Sequence, residues 1–199
     1  MTQLHCVMNL LISSRKENEM ENQILVTYAT KYGATAEIAE NIGQVLRQAG
    51  LCADVLPVDR VGDLTPYKAV VLGSAVYMGQ WRKEAVGLLQ ANEKALAERQ
   101  VWLFSSGPTG EGDSVELTKG WRFPQAQQPI ADRIHPRDIA VFHGNANTKK
   151  LNFIEKWILK KVQAPLGDFR DWETITSWAT TIADALKEKD VATGMSSGH

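Results

Sequence analysis

Short apolar runs alternate with segments of helical periodicity along most of this chain, and this alternation constrains the fold more than any other feature. The runs with strand character are residues 23–28, 52–58, 67–74, 100–105 and 138–143. Apolar residues recur at helical spacing in residues 35–48, 84–98, 150–162 and 171–187. This alternation predicts βαβ units and therefore an α/β fold, a doubly wound five-stranded parallel sheet with helices on both faces. Such sheets bind ligands beyond the carboxyl ends of their strands, so we expect functional loops after the first, third, fourth and fifth strands.

The composition is typical of an ordinary globular domain without a metal centre. The chain has 199 residues, 44% of them hydrophobic and 23% charged, and a formal net charge of −1 at pH 7. A charge this close to zero provides no long-range field for a polyanion, which argues against a nucleic-acid partner. The cysteines, Cys6 and Cys52, and the histidines form no cluster with metal-ligand spacing. We therefore predict no metal site and, from the isolated thiols, a reducing cytoplasmic compartment.

The chain divides into one predicted domain and two predicted tails. Residues 1–21 contain a short apolar run that precedes its charged residues, which suits neither a membrane span nor a secretory signal. We predict a disordered leader over residues 1–21, a single domain over residues 22–188 and a flexible tail over residues 189–199. Inside the domain, the long polar segment 106–128 interrupts the alternation, and loops of this length usually have a function.

The turn after the first strand has the character of an anion site. A turn that begins a helix gathers backbone N–H groups around the positive end of the helix dipole. Hydroxyls add further donors, and glycine allows close approach of the backbone. The turn lacks the lysine ending of a Walker loop and the three glycines of a dinucleotide fingerprint. An ordinary helix start capped by Thr35 would explain the same residues. The turn consists of Thr30, Lys31, Tyr32, Gly33, Ala34 and Thr35.

This turn resembles the phosphate-loop signature of the flavodoxin family. The residues that match the signature, in chain order, are Tyr28, Thr30, Gly33, Thr35 and Ala39. The chain departs from the signature at Thr27, where the family has an apolar residue, and this position concerns strand packing rather than phosphate contact. The resemblance implies a flavodoxin-like fold in which the turn holds the phosphate of FMN, with no requirement for the positive charge of Lys31.

The loop after the third strand is predicted to cover one face of the flavin ring. Tyr77 and Trp81 are flat aromatics that can stack on the ring, or can simply close the end of the sheet. The resemblance implies that the backbone carbonyl of Gly79 faces the flavin N5 position. The residues predicted to contact the cofactor in this loop are Ser74, Ala75, Val76, Tyr77, Met78, Gly79 and Trp81.

The loop after the fourth strand is predicted to bind the pyrimidine side of the ring. Its small residues can expose backbone N–H groups toward the ring oxygens, although an ordinary Gly/Pro turn has the same composition. The predicted contacts are Ser105, Ser106, Gly107 and Pro108. At the end of the fifth strand, His143, Gly144 and Asn145 can border the same pocket.

The end of the chain carries a second, looser resemblance. Residues 152–161 combine tryptophan and phenylalanine with three lysines, and residues 167–179 form a tryptophan-rich closing segment. Both are similar to the protoporphyrinogen IX dehydrogenases of the flavodoxin fold, which pass electrons to membrane quinone. This resemblance implies an FMN-dependent oxidoreductase that delivers electrons to a quinone or similar acceptor.

Several alternatives remain open at this stage. A basic helix with aromatics can lie on an anionic membrane, which would place residues 152–161 at the inner membrane face, but a core-facing helix with solvated lysines is the favoured interpretation. Acidic and basic side chains cancel in the loop after the fourth strand, where the dehydrogenases carry a basic insertion suited to propionate groups, so the chain departs from them at this point. The alternative function is a non-enzymatic electron carrier with a redox partner protein. No catalytic acid, base or nucleophile is identified.

Overall fold

The structure, a computed structural model, describes residues 23–146 and 165–196, with side chains described as far as residue 188. The predicted leader (residues 1–21) and the predicted amphipathic helix (residues 152–161) lie outside the described residues. Within the described part of the chain, no helix is both long enough and apolar enough to cross a membrane.

A parallel sheet of five strands forms the centre of the molecule, as the sequence predicts. The strands in chain order are β1 (Gln23–Ala29), β2 (Ala53–Pro57), β3 (Tyr67–Tyr77), the short β4 (Gln80–Trp81), β5 (Gln100–Ser106) and β6 (Asp138–Phe142). The parallel strands lie in the order β2-β1-β3-β5-β6, and β4 pairs antiparallel with the end of β3. Two further short strands, β7 (Asn145–Ala146) and β8 (Gly167–Asp168), form a separate antiparallel pair.

Helices cover both faces of this sheet. In chain order the described helices are α1 (Ala34–Gln48), α2 (Lys83–Ala91), α3 (Glu93–Ala97), α4 (Ser114–Leu117), α5 (Gln128–Ile134) and α6 (Trp172–Ser196), with short 3₁₀ turns at Val58–Arg60 and Gln125–Gln127. Helices α1 and α6 pack on one face, and α2, α3 and α5 pack on the other. Successive strand residues point to opposite faces, so Ile24 and Val26 join the first core while Leu25 joins the second. The apolar runs are therefore buried on both sides.

Three elements differ from the sequence-based prediction by an internal break or by more than two residues at one end. The helix predicted over residues 84–98 is broken at Asn92, which has a φ of −118° and whose side-chain amide donates to the Leu88 carbonyl at 3.0 Å. The third strand continues to Tyr77 because it turns back into β4. The closing helix runs to Ser196, beyond the predicted end at 187 and into the segment 189–199 that is predicted to be a flexible tail.

The polar segment after β5 also contains regular structure. Helix α4 lies within it, and the Asp113 carboxylate caps this helix by accepting from the backbone N–H groups of Val115 and Glu116 at 2.9 and 2.8 Å. An acidic residue before a helix start is a recognised N-cap signal, and it was present in the sequence.

Candidate cofactor site

A cavity of about 760 Å³ lies at the carboxyl edge of the sheet. Its walls come from the loops that follow β1, β3, β5 and β6, which are the loops that the doubly wound topology predicts. A volume of this size lies in the range of small-molecule and cofactor sites, roughly 300–1,000 Å³.

Most of the predicted cofactor-binding residues line this cavity. They are Thr30, Lys31, Tyr32, Ala34, Thr35, Ala75, Val76, Tyr77, Met78, Trp81, Ser106 and Gly107. The predicted residues that lie outside the lining are Gly33, Ser74, Gly79, Ser105 and Pro108. The remaining lining residues are Gln80, Arg82, Lys83, Glu84, Thr109, Gly144, Asn145 and Ala146. Of these, Gly144 and Asn145 are the two that the sequence placed at the border of the pocket.

One end of the cavity is formed by the start of α1. Gly33 is the N-cap residue, with a φ of 95° that glycine adopts without strain, and its N–H donates to the Thr30 hydroxyl at 3.0 Å. The helix has no side-chain cap, so the interpretation of Thr35 as the N-cap is wrong; Thr35 is buried within the first turn and lines the cavity. The first N–H groups of a helix have no intrahelical acceptor, so this end of the cavity favours an anion.

The β3–β4 hairpin contributes a second part of the cavity wall, next to the 30–35 turn. Its two-residue turn, Met78-Gly79, has positive φ at both positions, 52° and 72°, which is the geometry of a type I′ turn. Met78 is 91% exposed and Tyr77 40% exposed, so an aromatic ring and a thioether stand at the mouth. The Lys31 ammonium lies 5.9 Å from the Tyr77 ring centre and 5.2 Å from that of Tyr32, within the range of cation–π attraction. Gly79 provides the turn rather than the lining.

Trp81 is a core residue with only an edge at the cavity. It is 5% exposed, and its ring meets Phe123 edge-on with centres 4.8 Å apart. Its indole N–H donates to the Ser105 hydroxyl at 2.8 Å. These contacts favour the interpretation that Trp81 closes the end of the sheet, and they leave Tyr77 as the more accessible ring for stacking.

Two predicted serines are occupied by internal hydrogen bonds. Ser105 donates to the Arg122 carbonyl at 2.8 Å, besides accepting from the indole of Trp81. Ser74 accepts from the backbone N–H of Arg82 at 3.0 Å, just before α2 begins. Both side chains thus hold the loops that carry the lining.

Glycines let the backbone of the loop after β5 pack closely against the neighbouring walls of the cavity. The N–H of Gly107 donates to the Phe142 carbonyl at 3.2 Å, so this N–H is engaged within the protein. A Cβ atom on Gly144 would lie 3.0 Å from the Gly107 carbonyl oxygen, and one on Gly107 would lie 2.9 Å from the Val76 Cβ. These two glycines therefore permit the close contact between the walls formed after β3, β5 and β6.

The fold and the position of the cavity define a doubly wound α/β protein of the flavodoxin type. The sequence model of the flavodoxin-domain family matches residues 25–172, and the chain belongs to that family. No curated protein matches the chain in sequence.

Solved structures share the fold at low sequence identity. A rubredoxin oxygen:oxidoreductase from Desulfovibrio gigas is 16% identical, with a TM-score of 0.56 over 87% of this chain and 39% of that one. A flavodoxin from the domain Archaea is 13% identical, with a TM-score of 0.55 over 83% of this chain and 99% of the flavodoxin. The Flv1 flavodiiron core from Synechocystis sp. PCC6803 is 14% identical, with a TM-score of 0.55 over 92% and 40%. This chain thus spans well under half the length of the rubredoxin oxygen:oxidoreductase and of the Flv1 flavodiiron core, and the likeness shows the fold alone.

Proposed function

We propose that this protein binds FMN in the cavity and works as an oxidoreductase that passes electrons to a quinone or similar small acceptor, as the protoporphyrinogen dehydrogenases of this fold do. The observation that carries the FMN assignment is the start of α1. There, a helix N-terminus without a side-chain cap, together with Thr30 and Thr35, forms one end of a cavity of about 760 Å³.

The residues around the cavity suit a ligand with a phosphate at one end and a flat ring at the other. Backbone N–H groups and threonine hydroxyls at the start of α1 bind a terminal phosphate without a dedicated cation. Ala75 and Val76 give an apolar wall, and Tyr77 gives a half-exposed aromatic ring on which a flavin can stack. The flavin supplies the electron-transfer chemistry, and the protein supplies binding and orientation.

The residues at the mouth of the cavity favour a small molecule as the electron acceptor rather than a partner protein that docks by charge. Carriers that dock through an acidic surface need a strong field, and this chain has a formal net charge of −1. Lys31, Arg82 and Lys83 line the cavity, with the Arg82 guanidinium 2.8 Å from the Glu84 carboxylate. Met78 at the mouth presents an apolar contact beside the position proposed for the ring. These features, with the resemblance of residues 167–179, favour a quinone-type acceptor and a cytoplasmic protein that works next to the membrane.

Anaerobic turnover tests this proposal. The FMN-loaded protein is mixed with protoporphyrinogen IX and menadione, and the oxidation of the porphyrinogen is followed against free FMN at the same concentration. The proposal predicts quinone-dependent turnover well above the free-flavin control. Turnover at the free-flavin rate, with a flavin that accepts electrons only from a flavoprotein reductase, would contradict it and favour the carrier alternative.

A further inference from the structure

Arg170 joins two walls of the cavity although it does not line it. Its side chain is only 5% exposed. Through Nη1 it contacts the Glu37 carboxylate at 2.7 Å and the Ala34 carbonyl at 3.4 Å, both in the first turn of α1. Its Nε donates to Oδ1 of Asp168 at 2.8 Å and its Nη2 donates to Oδ2 at 2.6 Å.

Asp168 belongs to the segment that pairs with the second of these walls. It lies in β8, where it pairs with Asn145 of β7, and Asn145 is a lining residue. The backbone N–H of Phe169 donates to the Gly144 carbonyl at 3.2 Å, which adds a second contact between residues 168–169 and the wall formed by residues 144–146. A planar guanidinium with a bidentate carboxylate has little freedom to move. The start of α1 is therefore held at a fixed position against the 144–146 wall.

The charges around this contact matter for an anionic ligand. Glu37 places a carboxylate in the first turn of α1, close to the end of the cavity where a phosphate is proposed to bind. Two carboxylates share one guanidinium here, so loss of Arg170 would leave both without this cation and increase the repulsion of a dianion. The guanidinium also lies 4.6 Å from the centre of the Trp172 ring, which helps to fix it.

We infer that Arg170 is a positioning residue for the phosphate end of the cavity: it fixes the first turn of α1 against the 144–146 wall and offsets part of the negative charge of Glu37 and Asp168, so that the turn accepts a dianionic phosphate. This inference rests on the proposed binding of FMN. Arg170 is not proposed to contact the ligand, because the N–H donors of its guanidinium are engaged by Glu37, Asp168 and Ala34.

The test compares FMN with riboflavin, which has the same ring and no phosphate. Dissociation constants are measured by flavin fluorescence for the wild-type protein and for Arg170→Met, which keeps much of the side-chain volume and removes the charge. We expect FMN binding to weaken about tenfold, equivalent to about 1.4 kcal/mol. Riboflavin binding should change less than about threefold, because a neutral ligand does not sense the exposed carboxylates.

Two further variants keep the inference testable if Arg170→Met folds poorly. Arg170→Lys retains the charge and should keep the ratio of FMN to riboflavin affinity within about threefold of wild type. Glu37→Gln removes a half-exposed carboxylate from the wild-type protein and should tighten FMN about twofold without affecting riboflavin. In the double variant with Arg170→Met it should restore most of the lost FMN affinity.

Equal weakening of FMN and riboflavin in Arg170→Met, with no recovery from Glu37→Gln, would overturn the inference and leave Arg170 a purely structural residue. An unchanged FMN affinity in Arg170→Met would overturn it as well. Wild-type protein that binds neither flavin is a different result, since it would contradict the proposed function itself.

Discussion

The indole N–H of Trp81 donates to the hydroxyl of Ser105 at 2.8 Å, across the ends of two strands that face the cavity. That hydroxyl donates in turn to the Arg122 carbonyl at 2.8 Å, so the long segment after β5 is tied to the sheet behind the cavity. Both residues are buried, so removing one of them would leave the other's polar group without a hydrogen-bond partner and lower the stability of the protein. Trp81 and Ser105 therefore shape the cavity by holding its wall.

Trp81→Phe should lower stability more than it lowers flavin affinity. The change removes the N–H donor and part of the ring that packs on Phe123, a loss of about 1–3 kcal/mol for the unsatisfied partner alone. Urea unfolding measures the stability, and flavin fluorescence measures the affinity. Tyr77→Ala is the matched comparison, because this half-exposed ring should contribute little to stability and more to binding. The reverse ranking of the two variants would show that Trp81 is the stacking residue.

Thr27→Val should leave the protein as stable or make it more stable, by up to about 1 kcal/mol. The Thr27 hydroxyl is buried and has no hydrogen-bond partner within the described part of the chain, so it is desolvated without compensation. Valine has the same shape and no polar atom. Thr27→Ser, which keeps the hydroxyl and loses the methyl group, is the control and should destabilise. Clear destabilisation by Thr27→Val in thermal unfolding would mean that the hydroxyl has a partner, such as a buried water.

Gly73→Ala should destabilise by about 1–3 kcal/mol or more. A Cβ atom at Gly73 would lie 1.9 Å from a ring carbon of Phe104, whose ring is packed between Phe142 and Trp178 and has little room to move. Gly87→Ala is the matched control, since it lies within α2 and its Cβ would meet nothing within 4 Å. That change should stabilise by roughly 0.5–1 kcal/mol through helix propensity. Similar effects at both positions in urea unfolding would contradict the packing described for Phe104.

Asp168 should contribute stability that is lost in acid. Its hydrogen bonds to the Arg170 side chain hold the pKa of this carboxyl below its ordinary value of 3.8. Because the folded-state pKa is the lower one, the contribution is complete above the ordinary value and declines as the pH falls through the folded-state pKa. The free energy of unfolding of wild type minus that of Asp168→Asn should therefore be constant above about pH 5 and shrink as the pH falls below about 4. A difference that is independent of pH would contradict the ion pair with Arg170.

The sheet could be predicted from the sequence because its strands are buried on both faces and therefore appear as continuous apolar runs. The same logic placed the 30–35 turn and the loops after β3 and β5 at one edge. The extension of β3 to Tyr77 was missed because it depends on pairing with β4, and the break at Asn92 because helical periodicity continues through it.

The features of the site that the sequence did not predict depend on contacts between residues that are far apart in the chain. Arg170 lies far along the chain from Glu37, and no local pattern indicates that the two meet. The sequence left open whether Trp81 stacks on the ligand or closes the end of the sheet, and the contacts with Ser105 and Phe123 favour the second. Arg82, Lys83 and Glu84 line the cavity but were not predicted from the sequence. Their position depends on the direction in which α2 leaves the hairpin, and the spacing of apolar residues does not indicate that direction.

The most direct test of the account is the visible absorption spectrum of the purified protein after incubation with FMN and removal of free ligand. The account predicts a bound flavin spectrum, with FMN rather than FAD identified in the chromophore released on denaturation, because the start of α1 suits one terminal phosphate. A colourless protein that retains no added FMN would contradict the cofactor assignment and, with it, the proposed function.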